Sequence, residues 1–106
     1  MSRRNSRVEL DRYVFDVLLR DLVGHDKSPA SFLLYAFLAT RREVVASWPQ
    51  PGRIEASLSW LADETGLSRS GVQSALQNLL RRKLLTRTAA HATATPVYRV
   101  HREWVR

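Results

Sequence analysis

Five side chains in residues 69–81 have the types and the spacing to make hydrogen bonds to the edges of bases. Val72, Ala75, Leu76 and Leu79 recur at helical spacing, and a 3.6-residue period then places Ser70, Gln73, Ser74, Gln77 and Arg81 on the opposite side. Amides donate and accept at once, hydroxyls do either, and a guanidinium donates in a planar fork, which together match what base edges present in a major groove. No carboxylate interrupts this side. A helix surface that is only solvated usually mixes Glu with Lys, so the absence of acids separates this face from the bland alternative of two helices meeting at a glycine.

The elements that must position this face lie in residues 58–80. Leu58, Leu61 and Ala62 give a first helix its apolar side, Gly66 supplies the positive φ of a sharp turn, and Ser68 is placed to cap the second helix. The Ala62, Gly66, Val72 spacing lets two helices cross closely, because a small residue opens the crossing, glycine turns the chain and a β-branched residue fills the gap. In this the stretch resembles the helix-turn-helix of DNA-binding proteins.

Charge points the same way once it is located. The net charge is +7, yet residues 1–64 carry nine basic and nine acidic side chains, whereas residues 65–106 carry eight and one. The whole excess therefore falls on the second helix and the segment C-terminal to it, as expected for a polyanion partner. A chain of 106 residues is one domain's length, and without cysteine it excludes disulfides and thiolate metal sites, which fits a reducing, cytoplasmic compartment. No run approaches membrane-spanning length, and the first ten residues lack a secretory apolar core. His25, His91 and His101 are scattered, no phosphate-binding glycine loop accompanies them, and the adjacent Asp63 and Glu64 do not face one site on a helix. The expectation is no enzyme, no catalytic residue, no metal, no cofactor and no evident small-molecule ligand.

In chain order, residues 1–8 read as a flexible basic arm and residues 9–106 as a single domain. Residues 9–23 read as a helix with a charged stripe, Arg12, Asp16 and Arg20, spaced for i,i+4 pairing, followed by a turn over residues 24–27. Its apolar girth exceeds one side's need, so Leu10, Val14, Val17 and Leu18 are the candidates for contact between two copies in a homodimer. Ser28 and Pro29 form a helix start, and residues 32–39 are apolar at all eight positions, which predicts a central pillar covered on every side. Tyr35 and Phe37 read as core aromatics, Arg41 and Arg42 as cations favoured by a helix C-terminus, and Trp48, Trp60 and Trp104 as packing residues. Trp48 and Pro49 open a loop. Residues 53–57 read as one short strand with Ile54 and Ala56 inward, and Ser57 as the cap of the next helix. Residues 84–88 and 96–101 read as a β-hairpin with Leu85, Tyr98 and Val100 inward and Arg87, Arg99 and His101 outward, joined by residues 89–95. Pro96 can only open its strand.

A hairpin after this helix pair looks like a winged helix. The order of a Ser-Pro-started helix, a Trp-Pro loop and then LADETGLSRSGVQSALQNLLRRKLL is similar to the winged helix-turn-helix proteins of plasmid and phage replication modules and small bacterial regulators, over residues 28–101. The fold class expected is mainly α with a small β-hairpin wing (α+β), the helix-turn-helix at residues 57–82, the wing at residues 84–101 and an N-terminal helix added. By position the resemblance gives Arg69, Ser70, Gln73, Ser74 and Gln77 a reading role, to which Arg81 is added from the helical face. It gives Arg87, His91 and Arg99 a wing role, with Arg53 and Ser57 added as backbone contacts. One departure is Lys83, where the family often has glycine after the second helix.

The function expected is therefore sequence-specific binding of double-stranded DNA by a homodimer, in transcription regulation or in plasmid or phage replication control. The alternative is a winged helix that docks an acidic protein partner. The amide and hydroxyl stripe of Gln73, Ser74 and Gln77 favours DNA, because protein interfaces want aromatic or aliphatic anchors that this side lacks.

Overall fold

A computed structural model describes residues 7–44 and 53–102, with the backbone alone for residues 42–44. It shows four helices and a three-stranded antiparallel sheet. The basic arm, apart from its last two residues, falls outside the described residues, as do Trp48, Pro49 and Trp104.

The first helix, α1, departs from the expected α-helical winding. It is π-helical over Val14–Leu18 and again over Arg20–His25, with Leu19 N–H bonded to Val14 C=O and Asp26 N–H to Asp21 C=O. The helix thus runs through Gly24, which was expected to begin a turn, and the chain reverses instead at Lys27, a non-glycine at φ 56°. Val14, Leu18 and Leu22, four residues apart, are buried, while Arg12, Asp16 and Arg20 point to solvent. The expected i,i+4 pairs are not made: among the described residues, none of these three charges enters an ion pair.

Helix α2, Pro29–Val44, starts as expected, with Ser28 Oγ accepting from Ser31 N–H at 3.3 Å and proline in the first helical position. Only part of the apolar run is enclosed. Leu34, Tyr35, Leu38 and Ala39 are buried, Phe32, Ala36 and Phe37 are half-buried, and Leu33 is 53% exposed, so the pillar has an open side. A continuous apolar run cannot be covered all round when the domain supplies neighbours on only part of the circumference. Tyr35 donates to His101 C=O at 2.9 Å, Phe37 packs on Trp60 at 5.7 Å between ring centroids, and the Arg41 guanidinium lies 4.8 Å from the Phe37 ring centre.

Strand β1, Arg53–Glu55, leads through Ser57 into α3, Leu58–Thr65, then into α4, Arg69–Arg81. Ser57 Oγ accepts from Trp60 N–H at 3.1 Å, Ser68 Oγ from Gly71 N–H at 3.0 Å, and Gly66 closes α3 at φ 79°. Leu61, Val72, Ala75, Leu76 and Leu79 meet in the core with Ile54, Leu85, Tyr98 and Val100. The hairpin strands are β2, Leu85–Thr88, and β3, Val97–Val100, and β3 lies in the middle of the sheet, paired with β1 on one edge and β2 on the other.

The end of α4 resolves the question posed by Lys83. Lys83 N–H bonds Leu80 C=O and Leu84 N–H bonds Leu79 C=O, both at 3.0 Å, the two bonds of a Schellman close, and Lys83 occupies the left-handed position at φ 62°. An L-residue there costs roughly 1–2 kcal/mol, partly offset by the smaller chain entropy that lysine loses relative to glycine. Lys83→Gly is therefore expected to stabilise the protein by about 0.5–1 kcal/mol, read as a higher denaturant midpoint at unchanged slope. An unchanged or lower midpoint would show that the lysine chain makes a compensating contact.

Candidate nucleic-acid interface

Helix α4 exposes Arg69, Ser70, Gln73, Ser74, Gln77 and Arg81 while it buries Val72, Ala75, Leu76 and Leu79, so the two faces separate as the helical period requires. Its first turn holds Arg69 and no acid. The positive end of the helix dipole is thus reinforced by a cation, an arrangement that favours an anion in front of it. Ser70 is 3.3 Å from the capping Ser68 hydroxyl, and Arg81 donates to Asn78 Oδ1, which draws Arg81 towards its own helix and away from the Gln73 line.

A groove runs between α4 and the hairpin. Arg69, Gln73 and Gln77 form one wall, Arg87 and residues 92–96 the other, with Leu76, Leu80 and Tyr98 on the floor and Ser57 and Ser59 at one end. The position of Arg87 corrects the expectation that it points outward with Arg99. In the sheet register Arg87 stands opposite Tyr98 and Leu85 opposite Val100, so Arg87 shares the face of the buried residues and reaches past them into the groove. The period of two measured from Leu85 was the signal for this. Thr93, Thr95 and Ser59 also line the groove and were missed, because their part in it depends on how the 89–95 connection folds back towards α4.

Arg99 lies on the other face of the sheet, directly opposite Arg53 on β1 and Thr86 on β2. Neither arginine has an ion-pair partner among the described residues. Two like charges opposite each other across strands repel, and an anion above them would relieve that. The cationic positions expected of one wing surface are thus divided between two faces: Arg87 with α4, Arg53 and Arg99 away from it. Ser57 is half-buried with its hydroxyl engaged as a cap, and exposed His91 holds Thr93 Oγ1 at 3.0 Å through Nδ1, shaping the loop locally.

Not all of the basic excess is available to a partner. Arg82 forks onto Asp26 at 2.5 and 2.7 Å, and Arg102 onto Asp11 at 2.7 and 2.6 Å. Both are pairs between the two halves of the sequence that the charge count alone keeps apart. Asn78 extends the first, donating to Asp26 Oδ2 at 3.0 Å and to the buried Ser31 hydroxyl at 3.1 Å. The Arg82 guanidinium holds the Asp26 carboxyl far below the ordinary carboxylate range, against the opposing effect of burial and with further help from His25 and Asn78. This network braces the far end of α4 against the turn between α1 and α2. It is not legible in the sequence, since Asp26, Ser31, Asn78 and Arg82 belong to segments that meet only on folding.

Asp63 and Glu64 are exposed on α3, and among the described residues no group of three or more His, Cys, Asp or Glu could hold a metal ion. No described helix is long and apolar enough to cross a membrane. Comparison with family models, with curated proteins and with solved structures found no match.

Proposed function

We propose that this chain is a winged helix-turn-helix protein that binds double-stranded DNA in a sequence-dependent way, with α4 in the major groove and the 89–95 connection of the hairpin against the backbone. The observation that carries this reading is the exposed, acid-free face of α4, two amides one turn apart with Arg69 one turn before them, bordered by a groove whose opposite wall supplies Arg87. Gln73 and Gln77 are four residues apart and so about 6 Å along the axis, close to two base-pair steps. Arg69 at the start of the helix and Arg87 on the sheet stand where a phosphodiester backbone would flank the groove. Such a protein serves as a regulator of transcription or of plasmid or phage replication in the cytoplasm, and it needs no cofactor for this.

Selection from random duplexes, followed by a salt titration on the enriched site, tests the reading. The expected result is one enriched sequence and a log–log salt slope of roughly −3 to −4 per chain, the signature of about 3–5 phosphate contacts. No enrichment together with a slope near zero would overturn it. Tight, specific binding of an acidic protein to the basic side of α4 and the hairpin would put the protein-docking reading in its place.

A further inference from the structure

Three of the side chains that the sequence pattern offers for contact between two copies serve the core of this chain instead: Val14 is 2% exposed and Leu18 4%, and Leu10 packs on the core, while Val17 is half-buried. What α1 leaves in solvent is a different set. Phe15 is 51% exposed and Leu19 38%, one turn apart, and Phe15 makes an edge-to-face contact with Phe32 of α2 at 5.8 Å, next to Leu33, which is 53% exposed. Exposed apolar side chains on adjacent turns of one helix, joined by an aromatic contact to the next helix, are the usual mark of an interface, whereas a single exposed leucine is not.

The charges around it identify the occupant. Asp16 and Arg20 flank Phe15 and Leu19, both are exposed, and neither is paired within the chain although their spacing is right for it. We propose that this face of α1, with the edge of Phe32 of α2, pairs with the same face of a second copy of this chain, the two α1 helices running antiparallel about a two-fold axis that passes between the Phe15 and Leu19 turns. That operation sets Asp16 of each chain against Arg20 of the other and closes Phe15 and Leu19 of both into one apolar centre. A two-fold contact must be self-complementary, and a surface that sets free charges of both signs, Asp16 and Arg20, beside an apolar centre is so, while a uniformly acidic or basic partner would satisfy one sign and repel the other. The proposal stands independently of the DNA reading, since neither Phe15 nor Asp16 belongs to the groove beside α4.

Charge swapping tests it, because Asp16 and Arg20 make no ion pair within the chain and their substitution leaves the core untouched. Sedimentation equilibrium of the full chain is expected to show a dimer with a dissociation constant on the order of 10 µM. Asp16→Arg alone and Arg20→Asp alone are each expected to weaken it by at least about tenfold by placing like charges face to face, and the double swap to recover it to within about threefold. Phe15→Ser is expected to abolish the dimer while circular dichroism shows an intact fold. A monomer at roughly 100 µM wild-type chain, or a dimer indifferent to the single swaps, or a double swap no better than the singles, would each overturn the proposal.

Discussion

Asp26→Ala is expected to lower the unfolding free energy at pH 7 by about 2–4 kcal/mol. Asp26 is 6% exposed at its side chain and receives two hydrogen bonds from Arg82 and one from Asn78. Removing the carboxylate leaves a guanidinium that is only 27% exposed with Asp21 Oδ2, at 3.9 Å, as its remaining carboxylate, and takes one acceptor from Asn78, whose amide then keeps the Ser31 hydroxyl alone. Breaking a buried pair costs more than the pair contributes to folding, because the remaining charge stays desolvated, and Arg82's residual exposure keeps the expected figure towards the lower end of the buried range.

The same network sets a pH dependence with a definite sign. The folded-state pKa of Asp26 lies below its unfolded value, so the unfolded chain binds the proton more readily as pH falls. The stabilisation is fully present above the unfolded value of about 4 and is lost progressively below it, at a limiting slope of about 1.4 kcal/mol per pH unit for this one group. The stability difference between the wild-type chain and Asp26→Ala should therefore be constant from neutral pH down to about pH 5 and narrow in stronger acid. Chemical denaturation at a series of pH values measures it. A difference that grows in acid, or one well under 1 kcal/mol at pH 7, would mean that Arg82 finds another partner when Asp26 is gone.

On DNA, Gln73→Ala is expected to weaken binding to the selected site by about 1–3 kcal/mol, roughly fivefold to 150-fold, and to leave binding to a scrambled duplex nearly unchanged. Gln73 is exposed at the centre of the α4 face, on the groove wall opposite Arg87, and its amide can give and take a hydrogen bond at the N6 and N7 edge of adenine. Arg87→Ala is expected to weaken both duplexes alike and to flatten the salt slope by about one unit, because a lone guanidinium on the sheet side of the groove meets phosphate. Arg99→Ala should do less than Arg87→Ala, since Arg99 sits on the face of the sheet away from α4. Competition binding with the two duplexes decides between these roles. If Gln73→Ala leaves the ratio of affinities unchanged, α4 does not read bases through this residue, and if Arg99→Ala exceeds Arg87→Ala, the outer face of the sheet is the one laid on the backbone.

Much of this architecture was legible from neighbours along the chain. The caps at Ser57 and Ser68, the left-handed turn at Gly66, the proline start of α2 and the two faces of α4 follow from hydrogen bonds and side-chain periods that span at most a few residues, and the structure has each of them in place. The inward set Leu85, Tyr98 and Val100 and the outward Arg99 follow from the alternation of a strand in the same way. Arg87 shows how the same rule is lost when charge is allowed to outvote it: its parity with Leu85 places it on the inner face, and only the gap between the hairpin and α4 keeps it in solvent there.

Tertiary structure decided the rest. An apolar helix does not carry in its own sequence the number of neighbours that will cover it, so Val14 and Leu18 against Phe15 and Leu19 on α1, and Leu34 against Leu33 on α2, were divided between core and solvent by where the other elements pack. The π-helical winding of α1 and the left-handed Lys27 and Lys83 defy local preference, and each lysine turn is closed by backbone bonds, Ser28 N–H to Leu22 C=O after α1 and Leu84 N–H to Leu79 C=O after α4. Arg82 and Arg102 count towards the basic half of the sequence, yet folding brings each onto a carboxylate from the other half, at distances that no spacing along the chain encodes.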